Sequence, residues 1–167
     1  YYMVTKLVGK ASVELVEIGR ESEATGDMQG ACVPDKTKIL SDPFDMIVLP
    51  GGLPGADYLN EDPRIIALLQ KTEANNGIVA AICAAPKVLV SAGLLDNKKA
   101  TSYPGVIDKK PATGMIYVND DAVVRDGNVI TSRGPGTGMN FALEILQSLM
   151  GEKMRNTVEV SLVRSYA

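Results

Sequence analysis

The sequence predicts an α/β domain with a mainly parallel sheet and helices on both of its faces. Three observations lead there. Short apolar runs such as Ile47-Val48-Leu49 and Ile78-Val79-Ala80-Ala81-Ile82 have strand length and no polar alternation, the pattern of strands covered on both sides. Stretches with helical apolar spacing lie between such runs. Glycine, proline and asparagine punctuate the joints.

The elements follow in order. The chain opens Tyr1-Tyr2-Met3, with Val4, Leu7 and Val8 at helical spacing. Ala11 to Ile18 alternates apolar and polar residues and reads as a strand. Gly19 to Gly30 is polar and glycine-rich, a loop with room for a short hairpin, and Cys32 to Leu40 holds one small strand. Asp45 to Pro50 is a short buried strand, and Gly51-Gly52-Leu53-Pro54-Gly55 is a turn-rich loop. Pro63 opens a helix to about Ala74, with Asn60 or Asp62 as its cap. Asn75-Asn76-Gly77 ends it, and Ile78 to Ile82 is the next strand. A helix over Ala85 to Ala92 stops at Gly93. Ala100 to Ser102 forms a short strand, and Lys109 to Met115 is a connection. Val123 to Arg125 and Asn128 to Thr131 flank Asp126-Gly127 as a hairpin. Met139 to Met150 is a helix presenting Ala142, Ile145, Leu146 and Leu149 on one face, Gly151 caps it, and Glu152 to Val163 is the last helix.

Composition narrows the function. A chain of 167 residues with 46% hydrophobic and 22% charged residues suits one domain spanning 1–167. A net charge of -3 gives no reason to expect nucleic acid or an anionic membrane as partner. No apolar run approaches the roughly 18 residues a membrane span needs. Two cysteines, Cys32 and Cys83, make no disulfide framework, which points to a reducing, cytoplasmic setting. The chain has no histidine, so a Ser-His-Asp triad or Cys-His dyad within it is excluded, and zinc loses its commonest nitrogen ligand. No metal site is expected.

Sites in open α/β sheets gather at the carboxyl ends of strands. Three loops qualify: Pro50-Gly51-Gly52, Cys83-Ala84-Ala85 and Ser132-Arg133-Gly134-Pro135-Gly136-Thr137. A Gly-Gly pair lets backbone approach a ligand and present its N–H groups. A cysteine where a strand passes into a helix meets the positive end of that helix, which favours the thiolate. Free cysteine is also common core filler, so position alone leaves Cys83 open between packing and chemistry. Cys32 lies in no comparable context. The glycine-rich run at 132–137 lacks the Lys-Ser/Thr of a phosphate loop, which leaves Arg133 to anchor a carboxylate or a subunit contact. Glu14, Glu17, Asp120 and Asp121 read as solvated charges.

Taken together, Ile47-Val48-Leu49-Pro50-Gly51-Gly52, Ala80-Ala81-Ile82-Cys83-Ala84-Ala85-Pro86, Thr101-Ser102-Tyr103-Pro104 and Ile130-Thr131-Ser132-Arg133-Gly134-Pro135-Gly136-Thr137 resemble the DJ-1/ThiJ/PfpI superfamily, in its DJ-1-like branch. The resemblance implies a flavodoxin-like sandwich and a homodimer. It implies a nucleophilic Cys83 on a strained elbow, oxyanion-binding N–H groups at Gly52 and Ala84, and Gly51, Tyr103, Arg133 and Pro135 lining the site. The implied activity is cofactor-free conversion of methylglyoxal or of early glycation adducts, with a small 2-oxoaldehyde or glycated substrate. The alternative is a redox-sensing, chaperone-like dimer whose Cys83 is oxidised to the sulfinate, and in a eukaryote the nucleus or mitochondrion adds to the cytoplasm. A PfpI-type peptidase is disfavoured, since no histidine activates the thiol. Two departures from the family stand out. The chain begins at about the family's first helix, so the first strand and the glutamate that follows it are expected from a separate N-terminal segment or lost by processing, leaving a split sheet with an exposed edge. Without that acid, turnover is expected to fall by about 10²–10⁴-fold. Tyr103 stands where many relatives carry histidine.

Overall fold

The computed structural model describes residues 44–163 together with four short strand segments: β1 (Val16–Glu17), β2 (Ala24–Thr25), β3 (Ala31–Cys32) and β4 (Lys36–Thr37). The opening helix expected around Val4 to Val8 lies outside the described residues. β1 falls within the strand read over Ala11 to Ile18 and runs parallel to β4, while β2 and β3 pair antiparallel.

The central sheet takes strands β5 (Met46–Leu49), β6 (Ile78–Ile82), β9 (Val123–Asp126) and β10 (Val129–Ser132) in the order β5-β6-β10-β9. The first two pairings are parallel, and the β9–β10 hairpin closes antiparallel around Gly127, whose φ of 62° suits glycine. The sheet is therefore mainly parallel, as the buried apolar runs require. Among the described residues β5 forms one border of this sheet, and β1 with β4 makes a separate pair.

Alternation along the strands divides the core. Val79, Ala81 and Val129 point to one face and pack with Ile65, Leu69, Val88, Leu89 and Leu95. Ala80 and Ile130 point to the other and meet Phe141 and Ile145. The first face is covered by α2 (Pro63–Ala74) and α3 (Pro86–Ser91), the second by α4 (Gly138–Met150). α5 (Glu152–Ser161) lies on α4 through Ala142, Leu143 and Leu146 against Val158 and Leu162.

Most boundaries follow local chemistry. Asp62 caps α2 by accepting the Arg64 N–H at 2.9 Å, and Pro63 occupies the first helical position. Asn76, at φ 61°, and Gly77 turn the chain out of α2. Gly77 has backbone and the Thr72 side chain so close that a Cβ would lie 2.5 Å from the Phe44 carbonyl oxygen.

The structure departs from the sequence reading in several places. A helix, α1 (Gly55–Glu61), occupies residues read as loop. Its first turn is built on loop carbonyls, with Ala56 N–H donating to Gly52 O and Asp57 and Tyr58 N–H to Pro54 O. The strand expected over Ala100 to Ser102 is instead β7 (Lys99–Ala100), because the Thr101 N–H donates to the Thr131 hydroxyl at 2.9 Å and leaves the ladder. β7 pairs in parallel with β8 (Ile116–Tyr117), a strand not anticipated. Leu149, assigned to the buried face of α4, is exposed in its last turn, where the chain reverses at Gly151.

Candidate active site at the Cys83 elbow

The three loops singled out in the sequence meet at the carboxyl ends of β5, β6 and β10. Cys83 follows β6 directly and has φ 62°, the left-handed region that a residue with a Cβ adopts at a cost of about 1–2 kcal/mol. The strain is held by main-chain bonds. Cys83 N–H donates to Ser132 O at 3.0 Å, and Cys83 C=O accepts the Tyr103 N–H at 3.0 Å. The thiol is free and half-buried. α3 begins three residues on, at Pro86, whose missing N–H is no loss in a first helical turn. With six residues it is shorter than the Ala85-to-Ala92 span expected from sequence.

Gly51 explains the Gly-Gly pair. A Cβ added there would stand 2.5 Å from the Cys83 Cβ, 2.8 Å from Ile82 O and 3.3 Å from Ala84 N. The first glycine of the pair is thus the floor on which the elbow rests. The second, Gly52, has φ 96°, a conformation that L side chains rarely adopt. Its carbonyl receives the first turn of α1 at 2.9 Å. Among the described residues, the N–H groups of Gly52 and Ala84 have no hydrogen-bond acceptor, although Ala84 is buried. Both N–H groups are left open to an outside acceptor in the loops that meet at Cys83.

The third loop is ordered by hydroxyl groups that the sequence reading did not single out. Ser132 Oγ donates to Ala122 O at 2.8 Å and lies 2.7 Å from Thr137 Oγ1. Thr137 Oγ1 also accepts the Gly134 N–H at 3.0 Å and donates to Gly134 O at 2.9 Å. A threonine three residues after a glycine at a strand end is the available signal, an ordinary side-chain-to-backbone turn. Arg133 is half-buried, its N–H donating to Ala122 O at 3.3 Å, and its guanidinium forms no ion pair among the described residues. Pro135 is exposed and opens a short 3₁₀ turn to Thr137. Tyr103 is exposed, with its ring edge 3.4 Å from the position a Cβ on Gly134 would take. Cys83, Gly51, Gly52, Ala84 and Tyr103 are brought together; Arg133 and Pro135 share the neighbouring loop.

No group of three or more His, Cys, Asp or Glu residues is gathered for a metal among the described residues. No carboxylate among them hydrogen-bonds Cys83. A cleft of about 380 Å³ lies between the β9 approach and helices α4 and α5, lined by Asp121, Asn140, Glu144, Arg155 and Glu159 among others; none of the Cys83 loop residues borders it. No helix among the described residues is long and apolar enough to cross a membrane.

Comparison with known proteins supplies the lineage. Residues 2–148 match the model of the DJ-1/PfpI family. Protein dj-1beta of Drosophila melanogaster is 40% identical over 161 residues, covering 94% of this chain and 83% of that protein. The glutathione-independent glyoxalase DJR-1.2 of Caenorhabditis elegans is 36% identical over 152 residues, covering 91% of this chain and 77% of that one. The crystal structure of Drosophila melanogaster DJ-1beta superposes with a TM-score of 0.88 at 37% identity, over 98% of this chain and 88% of that structure. The sheet order, the layering of helices and this superposition define a flavodoxin-like α/β fold, and the chain belongs to the DJ-1/PfpI family, in its DJ-1-like branch.

Proposed function

We propose that the chain is a cysteine-dependent, cofactor-free catalyst of the glyoxalase III or deglycase type, acting on 2-oxoaldehydes such as methylglyoxal or on early glycation adducts. The observation that carries this is the strained Cys83, seated on Gly51 with the unpaired N–H groups of Gly52 and Ala84 beside it. The 36% identical nematode relative named as a glutathione-independent glyoxalase supports the same reading.

The chemistry runs as follows. The Cys83 thiolate adds to the aldehyde carbon, forming a C–S bond and moving the carbonyl electron pair onto oxygen. The Gly52 and Ala84 N–H groups stabilise that oxyanion, at about 3 kcal/mol per donor in comparable sites. Protonation gives a hemithioacetal. A proton leaves the former aldehyde carbon and one is added to the neighbouring carbon. The hemithioacetal hydroxyl gives up its proton and the former ketone oxygen gains one, converting the hemithioacetal to a 2-hydroxy thioester. Water cleaves the thioester, releasing lactate and the thiol, so that methylglyoxal and water yield lactate without a redox partner. The proton transfer between carbons falls to Tyr103, to water or to a group outside the described residues. A homodimer, with one Cys83 site in each copy, is part of the same proposal.

The half-buried, unpaired thiol favours a second reading, in which Cys83 is oxidised through sulfenic to sulfinic acid and the same N–H groups hold the sulfinate. The test is lactate formation from methylglyoxal without glutathione, for the parent chain and Cys83→Ala, alongside mass gain after peroxide. Cysteine-dependent lactate supports the catalyst. No lactate, with a two-oxygen mass gain lost in Cys83→Ala, supports the sensor. Lactate formation unaffected by the substitution removes Cys83 from catalysis, and a peroxide mass gain that persists in Cys83→Ala removes it from the sensor reading.

A further inference from the structure

Two helices leave the site loops side by side. α1 starts three residues after Gly52, and α3 starts three residues after Cys83. They are tied by two side-chain rungs. Lys87 on α3 forms an ion pair with Asp57 on α1, and Ser91 Oγ donates to Asn60 Oδ1 at 2.8 Å. Asp57 and Asn60 are three residues apart and Lys87 and Ser91 four, so each pair projects from one face of its helix, one turn apart.

Local helix chemistry does not account for Lys87. It stands in the first turn of α3, where the helix field disfavours a cation, whereas Asp57 in the first turn of α1 suits that field. The cross-helix partner is what gives the lysine a favourable place. The side chains are 26% and 49% exposed, a setting in which an ion pair adds little to global stability. Its effect is instead felt at the loops. The first turn of α1 hangs on the Gly52 carbonyl, and Gly51 has no free space against Cys83, so any change in the α1–α3 separation is passed to the Gly52 amide and the thiol.

We infer that the Asp57–Lys87 ion pair, with the Asn60–Ser91 hydrogen bond behind it, is a clamp that sets the distance between the Gly51-Gly52 amides and the Cys83 nucleophile. Asp57 and Lys87 are positioning residues, acting through Gly52. The inference rests on the reading of Gly52 as an oxyanion donor, but its structural half is measurable without turnover.

The experiment compares the full chain with Asp57→Ala, Lys87→Ala and the charge swap Asp57→Lys/Lys87→Asp, in three readouts. Hydrogen exchange of the peptide spanning residues 50–56 is expected to quicken by at least about fivefold in each single variant, with the melting temperature nearly unchanged. With methylglyoxal, kcat is expected to fall about ten- to a hundredfold at little change in KM, the size of effect that slight misplacement produces. The swap restores both. Iodoacetamide alkylation of Cys83 separates the clamp from a simple field effect. A field effect moves the two single variants in opposite directions, since one removes an anion and the other a cation. If the parent shows no turnover, the proposed activity fails while exchange and the swap still decide the clamp. Unchanged exchange in both single variants, opposite shifts in alkylation without loop loosening, or no restoration by the swap overturns it.

Discussion

Replacing Gly51 by alanine tests the geometry of the elbow directly. The added Cβ would lie 2.5 Å from the Cys83 Cβ and 2.8 Å from Ile82 O, against ordinary carbon contacts of about 3.5–4.0 Å. Neither obstacle is the free end of a flexible side chain: one is the first side-chain carbon of a residue bonded through both its main-chain N–H and C=O, the other is backbone of β6. Relief therefore needs a shift of about 1 Å in the loop or the elbow, and overpacking of this kind costs about 1–3 kcal/mol. For a chain of this size that is a fall in melting temperature of about 2–4 °C per kcal/mol. The shift also displaces the Gly52 and Ala84 amides, so lactate formation should drop by more than stability alone explains. Thermal denaturation and the methylglyoxal assay on Gly51→Ala give both numbers. Gly136→Ala is the control, since nothing lies within 4 Å of its Cβ and its φ is not in the left-handed region. A Gly51→Ala protein that melts within 1 °C or so of the parent and turns over normally would refute the close approach of loop and elbow.

Three more outcomes rest on the same backbone geometry. Cys83→Gly should be more stable than Cys83→Ala by about 1 kcal/mol in urea denaturation, reversing the usual rank, because φ 62° penalises a Cβ; both variants lose turnover. Gly138→Ala, at φ -57° and ψ -37° with open space around its Cβ, should stabilise α4 by about 0.4–1 kcal/mol. Asp62→Ala should cost about 1 kcal/mol at neutral pH by removing the α2 cap. The hydrogen bonds from the Arg64 guanidinium hold the Asp62 carboxyl below its usual range. Its contribution is therefore complete above the ordinary carboxylate pKa and is lost as pH falls through the lowered folded value, so parent and variant should converge in acid. A stability gap that persists at low pH would mean the loss is packing and not the cap.

The sequence made the frame legible where the signal is local. Asp62-Pro63 announces its helix, Asp126-Gly127 its hairpin, and Ile78 to Ile82 a strand covered on both faces, because each depends on neighbours in the chain. α1 escaped because its first turn is organised by Gly52 and Pro54 carbonyls within a loop, not by an apolar repeat. β8 and the early end of β7 escaped because both depend on strands distant in sequence, and Leu149 because burial in the last turn of α4 depends on where the neighbouring element ends. The same division holds at the site. Cys83 at a strand–helix seam and a Gly-Gly pair are visible as letters. That Gly51 supports the cysteine, and that Ser132 and Thr137 brace the third loop, are facts of contact.

The two main-chain bonds of residue 83 have a consequence for how such a site can change. The residue is fixed at both ends by backbone groups, its N–H to Ser132 and its C=O to Tyr103, so its anchorage does not use the side chain. Position 83 is in effect a socket: whatever Cβ substituent occupies it starts from the same point and direction. A single codon change can then exchange sulfur for oxygen or for nothing while the surrounding main-chain hydrogen bonds stay in place. Chemistry at this elbow is separable from its architecture, and a lineage or an engineer can alter the reaction without refolding the site.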